Sequence, residues 1–407
     1  MRIATPERQP GPVTPEARAL GPDLARGAML LFIALANTHY FLRGQTVLGG
    51  YPQHGSAADK AVTWLLATFV DGRAFPLFGL LFGYGVARIV RRQRARGHWR
   101  VRRLLWRRSA VLMVIGLTDA VLLYVGDILA AYGVLLFLGA WMVFWRDRWL
   151  AALAVAALVL TSLPSAGAST ISTEGPGPEI LPPALSGLVA DRLPVALFVA
   201  LLGPIGFLCP FAVGLWAGRR RILERPAHHL PLLRAVAAGG IGAAVLGAQP
   251  IALLLAGATT APAQPALERL AALHGMTGTL GGLGYAALLS LLALRLDRRP
   301  EGPRPGPMTA AIAAAGQRSM TCYLMQSVTW AVVFTPLLLD LSGTLTVTGT
   351  ALLATATWAA TVLLADRMRR AGRRGPFETL TRFATYGRTR PEPRPPAGAV
   401  HPTAHCP

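Results

Sequence analysis

The chain has 407 residues, 53% of them hydrophobic and only 14% charged, with a formal net charge of +21. Apolar stretches of about 18 to 25 residues recur along it, the length at which a helix crosses a bilayer. They are apolar on every side, which excludes a soluble domain built from amphipathic helices or alternating strands.

In chain order, residues 1–22 are Pro-rich and polar, the pattern of a disordered cytoplasmic segment, with no signal peptide before the first span. Ten spans follow near 26–42, 74–90, 107–125, 128–145, 149–163, 193–217, 233–256, 275–294, 319–341 and 348–366. The fold class is therefore all-α, a polytopic bundle of about ten transmembrane helices in one domain over 23–386. The third and fourth spans form a tight hairpin. Residues 43–73 read as an outer polar loop whose "DKAVTWLLATFV" is a half-span or interfacial helix. Residues 164–192, rich in Pro, Gly, Ser and Thr, read as a flexible external loop. After the last span, "GPFETLTRFATYG" fits an amphipathic helix along the inner membrane surface, and the Pro-rich tail 387–407 reads as disordered.

All but five of the 40 Lys and Arg residues fall on one side of this arrangement; the five are Arg43, Lys60, Arg73, Arg192 and Arg269. Basic residues stay on the cytoplasmic side, so both termini are expected there, and the charge excess needs no nucleic acid. The run "RRQRARGHWRVRRLLWRR" (91–108) has two readings. It is a topogenic loop touching anionic lipid headgroups, or a docking surface for a phosphorylated donor. Cys209, Cys322 and Cys406 have no paired spacing, and the eight His are scattered, so neither a disulfide framework nor a metal site is expected.

Ionisable groups inside spans are expensive and mark candidate sites. The first span carries Asp23 and Arg26 at its start, Asn37 and His39 near its outer end. Arg26 and Asn37, about three turns apart, share one face at opposite depths. Asp23 is also explained as a cap of the first turn, and Asn37 as interhelical glue. Asp119 lies below the outer end of the third span and should face the bundle interior. Asp127, in "LLYVGDILAAYG", either caps the fourth span or joins Asn37, His39 and Asp119 in an outer polar pocket. An imidazole and carboxylates at one depth suit a general base with an orienting acid. In the ninth span Ser319, Tyr323 and Gln326 share a helical face, for substrate binding or for interhelical hydrogen bonds. Gly79 and Gly83, four apart, allow close helix packing.

The blocks "DLARGAMLLFIALAN", "FPLFGLLFGYGVA", "RRLLWRRSAVLMVIGLTDAVLLYVGDILAAYG", "LCPFAVGLWAGRRR", "GQRSMTCYLMQS" and "RRGPFETLTRF" resemble, in order, those of YeiB-like bacterial inner-membrane proteins. Their C-terminal region, about 219–386 here, is domain of unknown function family 418. That family is distantly similar to transmembrane acyltransferases, including sugar O-acyltransferases, in which an Asp…Arg-Gly motif is followed by His or Asn eleven residues after the Arg. The resemblance implies Arg26, Asn37, Asp127 and Gln326 as site residues, in a multi-pass protein of the bacterial inner membrane. It departs at Asp119, where the family usually has His; either the imidazole has shifted to His39, facing Asp119, or the family's usual chemistry is lost or altered in this member. Two functions follow. One is acyl transfer from acetyl-CoA or another cytoplasmic acyl donor, a co-substrate rather than a bound cofactor, to an outer sugar or lipid acceptor. The other is transport of a small solute, proton-coupled through His and Asp. Membrane lipids are the other expected partners.

Overall fold

The computed structural model describes residues 20–164, 171–297 and 306–387. Among these the elements are helical except for one minimal hairpin, β1 (Val47–Leu48) and β2 (Tyr51–Pro52). Gly49 and Gly50 turn that hairpin at φ +57° and +85°, the left-handed pair that a two-residue turn of this hand requires. The helices are α1 (Leu20–Thr38), α2 (Ala57–Phe69), α3 (Ala74–Gln93), α4 (His98–Leu122), α5 (Leu129–Met142), α6 (Asp147–Thr161) and α7 (Leu188–Arg219). Then come α8 (Leu230–Leu255), α9 (Gln264–Asp297), α10 (Pro307–Gln317), α11 (Ser319–Phe334), α12 (Val347–Arg370) and α13 (Pro376–Tyr386).

Each of the ten apolar stretches lies largely on a helix. Five are long and apolar enough to cross a membrane: Ala57–Gln93 (α2 and α3 through their turn), Leu188–Arg219, Pro226–Leu255, Gln264–Leu296 and Val347–Arg370. Large apolar side chains stand exposed along them, among them Leu201, Leu246 and Leu352. Water would not tolerate that face on a long helix; lipid does. This is a membrane protein.

The boundaries depart from expectation in three places. The basic run 91–108 is not a loop: α3 continues to Gln93 and α4 begins at His98, with only a 3-10 turn, Arg94–Arg96, between them. Arginine is a good helix former, so these helices extend past the apolar band. The ninth stretch ends early, because Thr335 before Pro336 takes the extended conformation that a following proline favours and α11 stops at Phe334. The Ala-rich α10 occupies part of what reads as a polar loop. By contrast, "DKAVTWLLATFV" is helical as expected through Phe69, within α2, whose start is fixed by a reciprocal cap between Ser56 and Asp59.

Close crossings are built on glycine. A Cβ at Gly27 would run into the Ile312 carbonyl, and one at Gly316 into the Asp23 carbonyl, so α1 and α10 touch main chain to main chain. Gly83 and Gly214 do the same for α3 and α7, while Gly79 packs on Pro210, as the four-residue spacing of Gly79 and Gly83 implies. The result places α1 against α3, α9, α10, α11 and α12, whereas α4 packs on α5, α7 and α13.

Candidate functional site

The C-terminal end of α4 turns back into α5 over six residues. Gly116 permits this, since a Cβ there would meet the Ala130 amide and lie 2.7 Å from Asp127 Oδ2. Asp119, one turn on, ends the helix by accepting the Leu123 and Tyr124 amides on its carbonyl, at 2.8 and 2.9 Å. Its side chain is buried. Asp119 Oδ2 accepts the Ser327 hydroxyl at 2.8 Å, and Oδ1 has no hydrogen-bond partner.

Asp127 does what its capping explanation requires, and keeps something over. Its Oδ2 accepts the Leu129 and Ala130 amides at 2.8 and 3.3 Å, satisfying the orphan donors that open α5. Its Oδ1 is buried without a hydrogen-bond partner. Asp119 and Asp127 lie within electrostatic reach of each other. Helix α11 closes the cluster: Tyr323 sits beside Asp127 and its hydroxyl accepts the Ile128 amide at 3.4 Å. Gln326 donates to the Leu30 carbonyl of α1 at 3.1 Å, with its own Oε1 unpartnered. So α11 joins the acids of α4 and α5 to α1: Tyr323 and Ser327 come together with Asp127 and Asp119, and Gln326 reaches α1.

His39 does not join them. Helix α1 ends at Thr38, and His39–Phe41 continues as a 3-10 turn, which aims the imidazole toward the β-hairpin. Its ring stacks on Tyr51 (centroids 4.1 Å apart, planes 5° apart) and against Tyr40 at 4.1 Å. The carboxylate in its reach is Asp71, not Asp119. The expected imidazole–Asp119 dyad is thus replaced by a second cluster. The Tyr51 hydroxyl donates to Asp71 Oδ2 at 2.7 Å. Burial pushes the Tyr51 phenol well up, and Asp71 adds to the effect, so this hydroxyl stays a donor.

Two residues beyond Asp71, Arg73 is fully buried. It donates to the Asp71 carbonyl, to the Ala244 carbonyl at 2.7 Å and to His274 Nε2 at 2.9 Å. Arginine only donates, so His274 carries its proton on Nδ1. Tyr40 lies beside Asp71 and Tyr124 beside both acids of the first cluster, and the two tyrosines are in electrostatic reach of each other. The clusters therefore adjoin without merging.

Asn37 is buried and makes no side-chain hydrogen bond among the described residues. Arg26, at the far end of α1, donates to the Leu81 carbonyl at 3.3 Å and pairs with Asp23 at 3.6 Å. Among the described residues no group of three or more His, Cys, Asp and Glu is arranged to hold a metal.

Sequence reasoning passed over four participants. Ser327 stands next to Gln326 and was readable as the other half of "QS". Arg192, expected only as an outer charge, spans the C-terminal end of α4 and the N-terminal end of α7. Its donors go to the carbonyls of Glu179 (2.9 Å), Ile180 (3.1 Å), Val121 (3.3 Å) and Leu123 (3.2 Å). It is the cation nearest Asp119 in effect, yet none of these bonds goes to a carboxylate. Asp71 and His274 gave no local signal, since only the tertiary fold brings them to Arg73.

Residues 217–388 match the family model described as a protein of unknown function, DUF418. Over that stretch, under half of its length, the chain is similar to the DUF418 family. The matched region supplies Tyr323, Gln326, Ser327 and His274, whereas Asp119, Asp127 and Asp71 come from the segment before it. Both clusters are thus assembled across the boundary of the DUF418 match. Neither the curated proteins nor the solved structures yield a match to the chain.

Proposed function

We propose that this protein transfers an acyl group across the membrane, from a cytoplasmic thioester such as acetyl-CoA to a hydroxyl or amine of an outer sugar or lipid. In this reading the ten apolar helices all cross the bilayer of a bacterial inner membrane and both termini are cytoplasmic, as the one-sided arginines favour. Asp119 and Asp127 then lie toward the outer face, Arg26 at the inner end.

The observation that carries the reading is the pair of carboxyl oxygens, Asp119 Oδ1 and Asp127 Oδ1, both buried without a hydrogen-bond partner on acids within electrostatic reach of each other. A positioned carboxylate is a general base. One of them takes the acceptor's proton as its oxygen or nitrogen attacks the thioester carbonyl. The new C–O or C–N bond forms, the C–S bond breaks, and the thiolate leaves with the donor. Tyr323 offers a hydroxyl to the developing oxyanion. His39 has no part in this step.

The test is purified protein with radiolabelled acetyl-CoA and envelope glycans or lipids. Label should pass to the acceptor, and Asp119→Asn and Asp127→Asn should each slow transfer about 100-fold or more, the usual worth of a general base. Equal transfer by either variant overturns the role of the pair.

A second reading is favoured by the same pair. Buried acids in a membrane bundle also serve as proton sites in transporters. Solute uptake by proteoliposomes along a proton gradient, without acyl transfer, would decide for it.

A further inference from the structure

We infer that α13 is a latch between the bilayer surface and α11, and that its partner is the anionic headgroup layer. The inference rests on the membrane location alone, so it stands or falls separately from acyl transfer.

The inner face of α13 grips the start of α11. Glu378 accepts the Met320 amide at 2.8 Å, the Thr321 amide at 3.1 Å and the Thr321 hydroxyl at 2.5 Å. A helix start exposes unsatisfied N–H groups and partial positive charge, and a carboxylate answers both. Phe377 N–H adds a bond to the Thr321 hydroxyl at 3.3 Å, and Arg318, at the junction of α10 and α11, donates to the Arg373 carbonyl at 2.6 Å. Thr381 and Thr385 are buried on the same face. Helix α11 thus begins on a cap supplied some 57 residues later in the chain.

Among the described residues the opposite face is half-exposed. Leu380, Phe383 and Tyr386 recur every three residues, and are 48%, 54% and 38% exposed. Arg367, Arg373 and Arg382 lie at the end of α12, ahead of α13 and within it, and form no ion pair among the described residues. By contrast, Arg369 and Arg370 are both bound to Asp366. An apolar stripe accompanied by uncommitted arginines is complementary to acyl-chain boundary and anionic headgroup together. Tyr323, Gln326 and Ser327 stand on the helix so capped, so the surface contact bears on the position of the candidate site.

Two measurements test this in nanodiscs of phosphatidylglycerol or phosphatidylcholine. A nitroxide on Phe383→Cys, with Cys406→Ser, should meet oxygen in the lipid more readily than a water-soluble nickel reagent. Preferential collision with nickel overturns the surface placement. Hydrogen exchange at the Met320 and Thr321 amides should speed up about tenfold in Glu378→Ala, since charge-assisted bonds are lost, and also be faster in phosphatidylcholine than in phosphatidylglycerol. Unchanged exchange in the variant overturns the cap, and equal exchange in both lipids overturns the headgroup as partner.

Discussion

The two polar clusters sit side by side and balance charge in opposite ways. Around Arg73 a cation, fully buried, is matched by Asp71 and by carbonyl and imidazole acceptors. Asp119 and Asp127 are two acids within electrostatic reach of each other, and Arg192 donates to main-chain carbonyls. Both clusters keep buried polar atoms without a partner, Asp71 Oδ1 and Arg73 Nε in the first, Asp119 Oδ1 and Asp127 Oδ1 in the second; what differs is that the first sets a cation near its acid and the second sets two acids near each other. On the proposed function, the first cluster is structural and the second carries the chemistry.

That contrast breaks most readily at Arg73. Arg73→Met leaves Asp71 without its buried counter-charge and His274 without its donor, so unfolding in detergent should become easier by about 3–5 kcal/mol. A loss under 1 kcal/mol, on the order of a surface change, would remove the structural assignment. Ser327→Ala is expected to cost about 1–3 kcal/mol, since Asp119 Oδ2 then loses its only hydroxyl. Its effect on transfer should exceed its effect on stability; the reverse would make Ser327 a packing residue only.

The smallest effect concerns an ion pair away from both clusters. Asp147, at the start of α6, meets Arg219 at 2.8 Å and Arg220 at 3.0 Å. Partial burial works to raise its carboxyl, but the bonds from Arg220 and Arg219 overcome this and hold it below its usual 3.8. A depressed carboxyl stabilises the fold above its unfolded value and ceases to do so as pH falls through the folded one. Melting temperature should therefore drop more between pH 5 and 3 in the native chain than in Asp147→Asn, by an amount worth less than about 1 kcal/mol because the pair is half-exposed. Equal slopes would show the pair to be energetically silent.

Much of the helical frame was legible because hydropathy reports burial in lipid directly: all ten apolar stretches are helical, and the closely spaced glycines of α3 do pack a neighbour. The site was legible in depth but not in direction. Residue spacing placed His39 and Asp119 at one level of the bundle, and level is all that spacing gives; which helices are neighbours depends on crossings such as Gly27 on Ile312. The cap on α5 by Asp127 was readable from its position before the helix. The pairing of His39 with Tyr51 and Asp71 was not, because it needs the 3-10 turn after Thr38 and the hairpin at Gly49 and Gly50. Helix α10 escaped notice since alanine carries little hydropathy, although it favours helix.

The main-chain contact between α1 and α10 has a mechanical consequence. With bare glycine at Gly27 and Gly316, and the Trp358 indole donating to the Gly27 carbonyl at 2.9 Å, no pliable side chain separates the two rods. A ligand that pushed on Arg26 would therefore move both as one body. The first place where such a displacement can turn into rotation is the break at Arg318, two residues past Gly316, and beyond that pivot lies the Tyr323 face.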